Sequence, residues 1–549
     1  MKKLLIVSIR ISILLIIFTI IIEKSFSQTK DLLRKEIEAN VKSDEFYVVP
    51  VKETGVIIFS EGDESVKQNK VKSDLWIVTL YDTEFNQKWQ REVPIAEGLK
   101  LVDKIIEDDY LYLAFDQTGP KKNTFQAVKI GVKEGDVKIV TGEAPNSVLN
   151  VFSVNNGKVF LGGATTLTGG QRFSRIMVSY CTCFIPVFFG YLNPPSDPLL
   201  YHIDFSKSKV TNIHPKEKGC LAVTDINALK SSNQTEVLTS IMLDKKKKQT
   251  GIVSRVYDDN GKFVREYTIK SKLNNLLSKG FVSEHNGIKY IVGTYKKRID
   301  KSNKDKYKTY GVGDNGVYFT MFDEKEKQKF IKFYEFTKFD GFEGFVNKGV
   351  NKKIKKSKKG NGNKKNILIG YNLLVHKPIY TENEILTISE AYYAEYHTET
   401  RCCDSQGKSY TVSVFDGWRT THALIASFDY EGELLWSTTF AIGTLSFDLK
   451  RRIRVLPQEN RTVLAFNYDG TIYTKAIINK EVIDESTVEI ETNFGSDKVK
   501  SNYKSDMEYW YDNYYIAYGY QKIKKDKENK NKDIKKKRKV FYFNKIQVD

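Results

Sequence analysis

From about residue 46 to its end, the chain alternates short apolar runs with polar turns, and the runs recur in one order. A loose strand leads to a tight turn and a second strand such as 110–115 or 159–162. A loop follows, then a third strand ending in Asp, a short turn and a last, aromatic-rich strand. The third strand is clearest at 76–82, 200–204, 252–258, 317–323 and 423–429, which end in Asp82, Asp204, Asp258, Asp323 and Asp429. Asp suits that end because its carboxylate accepts a backbone N–H two residues on and starts a turn. Asp259-Asn260-Gly261 and Tyr430-Glu431-Gly432 supply residues that tight hairpins require. Continuous apolar runs at 75–81 and 423–428 predict strands covered on both faces. No long segment of period 3.6 follows residue 45, so helices are minor.

Four antiparallel strands repeated roughly every 50 residues mark a β-propeller. The predicted fold is all-β, with eight blades at 46–95, 98–142, 147–213, 220–269, 272–336, 371–440, 447–490 and 501–549, and seven blades as the alternative. The last blade ends on its third strand. Within the lead segment 28–45, residues 36–41, with Ile37, Ala39 and Val41 alternating, can supply the ring-closing strand; the same stretch also reads as a short helix, since 31–39 holds good helix formers. A transmembrane β-barrel is disfavoured because several strands are apolar on both sides.

The front of the chain is an address. Lys2 and Lys3 precede an apolar run interrupted by Arg10, and Ser25 and Ser27 place small residues three and one positions before Gln28. That is a signal peptide, 1–27, with an uncleaved anchor as the competing reading. The expected location is outside the cytoplasm: periplasm, cell surface or extracellular medium. No later segment is long and apolar enough for a spanning helix in the mature chain.

In a meander, turns after strands one and three share one end of the blade. Those turns are short, whereas insertions at 60–74, 168–199, 296–314, 391–421 and 521–539 follow strand two and 337–370 follows strand four. Elaboration on one end of a rigid scaffold is where binding usually resides. Charge follows the same partition. The chain's formal net charge is +19, and windows 245–248, 296–308, 352–365 and 521–539 together exceed it. Lys dominates there over Arg, the residue suited to bidentate anion recognition, so these tracts read as solvated and mobile and nucleic acid is set aside.

Candidate chemistry is sparse. Five Cys and six His are too few for a disulfide scaffold or zinc module. Cys181, Cys183, Cys402 and Cys403 lie in two insertions of the same end and are candidates for structural disulfides in an exported chain. His397, Cys402, Cys403 and His422 match no standard metal spacing. No catalytic motif and no cofactor signature is present. Tyr392, Tyr393, Tyr396, Asp416, Trp418 and Arg419 crowd insertion 391–421, where aromatic side chains suit sugar stacking or protein contact, or a small core of the insertion itself.

The segment Phe428-Asp429-Tyr430-Glu431-Gly432-Glu433-Leu434-Leu435-Trp436 resembles the quinoprotein-like propeller repeat, as does Tyr81-Asp82 running to Trp89. The resemblance implies a propeller whose relatives include exported quinone- and calcium-dependent dehydrogenases and non-enzymatic scaffolds of outer-membrane assembly. A matching calcium-ligand set is not identifiable in this chain. The expected function is therefore a binding or scaffolding protein of the bacterial envelope, with an envelope protein or glycan as partner. The alternative is an enzyme acting on a glycan or small molecule at the axial pocket.

Overall fold

The computed structural model describes residues 30–548 except 41–42, 69–70, 118–123, 166–197, 215–219, 230–231, 245–248, 272–273, 286, 300–303, 305, 347, 359–365, 403–408, 459–460, 479–480, 494–496 and 527–534. The fold is all-β, of β-propeller class, built from sheets of four antiparallel strands. Seven such sheets lie among the described residues, with an eighth to whose four strands a short fifth, Ile379–Tyr380, is added. Sheet 1 runs from Phe46–Val51 to Gln87–Ala96, sheet 2 from Leu99–Glu107 to Val137–Glu143, and sheet 3 from Ser147–Asn155 to Lys209–Asn212. Sheet 4 runs from Cys220–Leu229 to Phe263–Ile269 and sheet 5 from Asn275–His285 to Gln328–Glu335. Sheet 6 runs from Asn372–Val375 to Leu434–Ser446 and sheet 7 from Arg454–Pro457 to Glu481–Glu489. Sheet 8 takes Lys498–Tyr511, Tyr514–Lys524 and Lys537–Gln547, and its fourth strand is Lys30–Glu38.

Asp residues end the third strands as their chemistry dictates. Asp82 Oδ1 accepts the N–H groups of Glu84 and Asn86 at 3.0 and 2.9 Å, and Asp258 Oδ1 those of Asn260 and Lys262 at 3.0 and 2.8 Å. Asp323 repeats the pattern with Lys325 and Lys327, Asp204 bonds the N–H of Ser206, and Asp429 that of Glu433. The Lys329 ammonium and these N–H groups hold the Asp323 carboxyl below its usual range.

The chain divides into two compact units. The first comprises Met1–Ser60, Thr79–Lys88 and Arg452–Asp549. Its core gathers Val48, Ile58, Phe85, Trp510, Phe541 and Phe543, and the Trp510 indole donates to the Gly55 carbonyl at 2.8 Å. Lys30–Glu38 lies antiparallel to Lys537–Gln547, from Lys30 opposite Gln547 to Glu38 opposite Val540. That segment is a strand throughout, not a helix, and it begins earlier in the chain than 36–41. Glu36 is held by Arg34 and by Arg538, each at 3.0 Å, and Arg538 also reaches Asp497 at 2.6 Å. The buried Arg454 clamps Glu508 through two bonds of 2.7 and 2.9 Å.

The second unit comprises Glu61–Val78 and Trp89–Arg451. Within it the first, leading strands of sheets 2, 3, 4 and 5 are successive neighbours. Polar side chains join the sheets: Glu107 accepts the N–H groups of Asn156 and Gly157 at 3.2 and 2.7 Å, and Asp116 that of Leu149 at 2.9 Å. The Trp89 indole donates to the Val132 carbonyl at 2.8 Å.

Three insertions differ from the sequence reading. Residues 60–74 are not a loop but the far ends of two strands, Gly55–Gln68 and Val71–Tyr81. Insertions 296–314 and 337–370 pair with each other, because Tyr307–Gly311 forms a parallel ladder with Asn366–Gly370. The Lys-rich tract expected to be solvated begins as a helix, α1 (Lys348–Lys358), whose Ile354 is buried with Phe336, Phe342 and Leu424. Val350, half-buried one turn before Ile354, packs on the same cluster, so two apolar residues on one face anchor an otherwise basic helix. The remainder of that tract, 245–248 and 527–534 lie outside the described residues, as does the expected signal peptide.

Removing residues through Glu38 should leave Lys537–Gln547 as a bare edge carrying Phe541 and Phe543, an aggregation template. The shortened chain is expected to associate in light scattering and to unfold at lower denaturant than the parent; an unchanged monomer of unchanged midpoint would contradict the role given to this strand.

Candidate functional site

Insertion 391–421 is an arm of regular hairpin, not a loop. Its strands, Ile385–Arg401 and Tyr410–Phe428, pair over their whole length and carry all six predicted binding residues. Two bulges set its faces. Glu395 opposes Gly417 whereas Tyr396 opposes Phe415, which leaves Asp416 as an extra residue. Side chains alternate along a strand, so Phe415 and Trp418 would face opposite ways without that insertion. With it, Tyr392, Trp418, Phe415 and Tyr396 form one ladder, with centroid distances of 5.6, 5.4 and 5.4 Å. Phe447 extends the ladder at 6.3 Å from Phe415. Tyr396 and Phe447 are exposed, so the aromatics do not close into a core of their own.

The opposite face is polar. Tyr393, exposed, lies across from Arg419, and Arg419 is clamped by both carboxylate oxygens of Glu395. Asp416, bulged outward, meets His397 Nδ1 at 2.5 Å while Glu399 meets His397 Nε2 at 3.2 Å. Hydrogen bonds to Asp416 and then Glu399 hold the His397 imidazole above its ordinary range. His422 is buried, stacked on Phe345 at 4.0 Å, and burial lowers its pKa to about 4. Cys402 is exposed with a free thiol, while Cys181, Cys183 and Cys403 lie outside the described residues. Among the described residues no cluster of three or more His, Cys, Asp or Glu is arranged to hold a metal ion.

A second polar assembly went unnoticed in the sequence. Every leading strand from sheet 2 to sheet 5 carries a bulge: Val102, Asn150, Thr224 and Ser278 are its extra residues. The residues that follow are Asp103, Val151, Asp225 and Lys279. In sheets 2, 3 and 4 they oppose Ala114, Gly162 and Leu238, the same step of the second strand. Lys377 and Arg451 act electrostatically on both Asp103 and Asp225. Burial raises the Asp225 carboxyl to about 6, against the pull of Lys377 and a 2.6 Å bond from Asn227. Desolvation raises Asp103 as well, although its side chain is exposed to water. Lys279 is in the same condition, its pKa lowered by desolvation while it donates to the Leu373 carbonyl at 2.9 Å. Ser278 donates to Asp314 at 2.6 Å. The available signal was an Asp inside a strand, where Asp is depleted; the bulge that aims it leaves no mark in composition.

No family model and no curated protein matches the chain. Among solved structures it is similar to a polysaccharide lyase at 9% identity and a TM-score of 0.39, over 82% of this chain and 90% of that one. It is similar to a periplasmic gluconolactonase of Pseudomonas aeruginosa at 7% identity and a TM-score of 0.37, over 81% and 96%. The β-propeller domain of the trilobed protease of Pyrococcus furiosus gives 8% identity and a TM-score of 0.33, over 78% and 94%. Likeness at this level transfers no activity.

A carboxyl raised in the fold favours the native state below its unfolded pKa and loses that contribution as pH climbs through the folded value. The unfolding free energy of the protein should therefore carry a component that falls between about pH 4 and pH 6 and levels off above that. Asp225→Asn should remove it, gaining up to about 3 kcal/mol over the parent at pH 8. Denaturant melts at both pH values check this; identical pH slopes would show that Asp225 titrates normally.

Proposed function

We propose that this chain is an exported binding protein of the bacterial envelope, a quinoprotein-like propeller that takes its partner on the arm of sheet 6. The observation that carries the reading is the ladder of Tyr392, Trp418, Phe415 and Tyr396, half-buried along its length and exposed at Tyr396, backed by a polar face that holds Arg419 and His397 in place. Rigid aromatics on a regular hairpin bring large contact area at small entropic loss, and such anchors dominate binding energy. The bidentate Glu395 clamp restrains Arg419, so its guanidinium is presented in a set orientation. Transit across a membrane is supported by the sequence features of residues 1–27, and among the described residues no helix is long and apolar enough to cross one.

One observation favours the alternative of an enzyme. Burial raises the Asp225 carboxyl to about 6, closer to the range suited to acid–base work near neutrality.

A glycan array and a pull-down from envelope extract are expected to give a partner that Trp418→Ala weakens by about 2 kcal/mol, as anchor truncation does. Arg419→Ala should weaken it as well, and Leu435→Ala, exposed on another strand of the same sheet, should not. Retention of the partner by a Trp418→Ala, Arg419→Ala double variant would remove the arm from the reading.

A further inference from the structure

Two insertions of the second unit meet in one basic layer. Residues 348–358 hold six lysines and no acid. Val350 and Ile354 turn one face of α1 to the cluster of Phe336, Phe342 and Leu424, while Lys348, Lys352, Lys353 and Lys355 stand in water. The ladder of Tyr307–Gly311 with Asn366–Gly370 lies beside the helix. Ile367 and Ile369 pack on the same cluster, and their partners in the ladder are Lys308 and Tyr310. Side chains paired across a ladder share a face, which puts Lys308 and Tyr310 on the helix side. The distances agree: the Lys308 and Lys353 ammonium groups lie 5.6 and 5.7 Å from the centre of the Tyr310 ring. Lys306, two positions before Lys308, is exposed as well. Among the described residues none of Lys306, Lys308, Lys348, Lys352, Lys353 and Lys355 is in an ion pair.

Folding does not ask for this charge. Any polar residue would solvate the outer face of α1, and like charges three and four positions apart, as at Lys348, Lys352 and Lys355, weaken a helix. Lys306 and Lys308 can guard the edge of a strand, but α1 has no edge to guard. The layer also carries an apolar point. Directly after the ladder, Val312 stands between Gly311 and Gly313, whose φ angles are 79° and 101°, and it is 72% exposed. Glycine takes such angles freely, so the turn holds its valine out in water two residues from Tyr310.

Lysine is a compact point charge without the fork that docks a single carboxylate or phosphate, so the array suits a crowd of like anions. A polyanionic chain would offer that crowd and nothing for Val312. A bilayer with anionic headgroups offers both. The apolar residues of α1 are spent on the cluster, so the helix would lie on such a surface and not enter it. We infer that the layer of α1 and Tyr307–Gly311 is a membrane-contact surface, its lysines resting on anionic lipid headgroups and Val312 dipping among them. It lies on other residues than the arm and stands whichever partner the arm takes.

The test is co-sedimentation of the full chain with vesicles of phosphatidylcholine mixed with phosphatidylglycerol, and with vesicles of phosphatidylcholine alone. The protein should bind the first, release them as salt is raised, and ignore the second. A Lys352→Ala, Lys353→Ala, Lys355→Ala variant should bind about a hundredfold more weakly, a factor of about five for each lysine near an anionic surface. A Lys535→Ala, Lys536→Ala, Lys537→Ala variant loses the same charge from another exposed basic tract and should bind nearly as the parent does. Val312→Ser should weaken binding without changing its response to salt, and the Trp418→Ala, Arg419→Ala double variant should keep it. The α1 variant should melt no lower than the parent. Failure to bind the anionic vesicles, full binding by the α1 variant, equal loss in the two triple variants, or unchanged affinity of Val312→Ser would each overturn the inference. So would a lower Tm of the α1 variant, which would give its lysines to the fold, or loss of binding in the arm variant. Binding of dextran sulfate without binding of anionic vesicles would place a polyanionic chain on the layer and overturn it too.

Discussion

Side chains on a strand point alternately to two faces, and one extra residue reverses the assignment of everything beyond it. Both polar assemblies of this protein rest on that constraint. On the arm, the extra Asp416 brings Phe415 and Trp418 to one face and sends a carboxylate to His397 on the other. In the leading strands, the extra residue ahead of Asp103, Asp225 and Lys279 directs charged groups at positions where an uninterrupted ladder would place apolar ones. The bulges recur at one step of sheets 2, 3 and 4 and near it in sheet 5, whereas the leading strands of sheets 1, 6 and 7 pair without one, so the device belongs to four consecutive sheets.

Much of the architecture was legible because it is local. The Asp that closes a third strand bonds N–H groups two and four residues ahead, so its signature lies within a pentapeptide. Insertions were less legible, since polarity cannot separate a solvated loop from a strand that water bathes on both sides. Residues 391–401 and 410–421 read as loop because they alternate weakly; each is strand because the other is there. The Lys-rich start of α1 was read as solvated tract because its apolar contacts, Val350 and Ile354, are two letters among lysines. The cluster around Asp225 was illegible for a different reason. Its members, Asp103, Asp225, Lys279, Asp314, Lys377 and Arg451, come from six separate segments of the chain, and no local pattern encodes what joins them.

The pairing of Tyr307–Gly311 with Asn366–Gly370 shows how the elaborations are tied down. Each segment would be an isolated strand, which is marginal in water. As a parallel pair they are covered by Phe336, Phe342 and Ile354, so two excursions from different sheets become one small packed layer. Asn315 reinforces it by donating from its side chain to the Ile369 carbonyl at 3.1 Å.

The partnership of Lys30–Glu38 with Lys537–Gln547 bears on how the molecule comes into being. The bond from Arg538 to Glu36 spans 502 positions of chain. During synthesis the first strand emerges long before its mate, at about 5–20 residues per second, and waits tens of seconds without a partner. Its arrival is a contact of the highest order in the fold, the class that slows assembly most. A growing chain is thus obliged to keep Lys30–Glu38 idle until Lys537–Gln547 has appeared, and this sheet is sealed late in assembly.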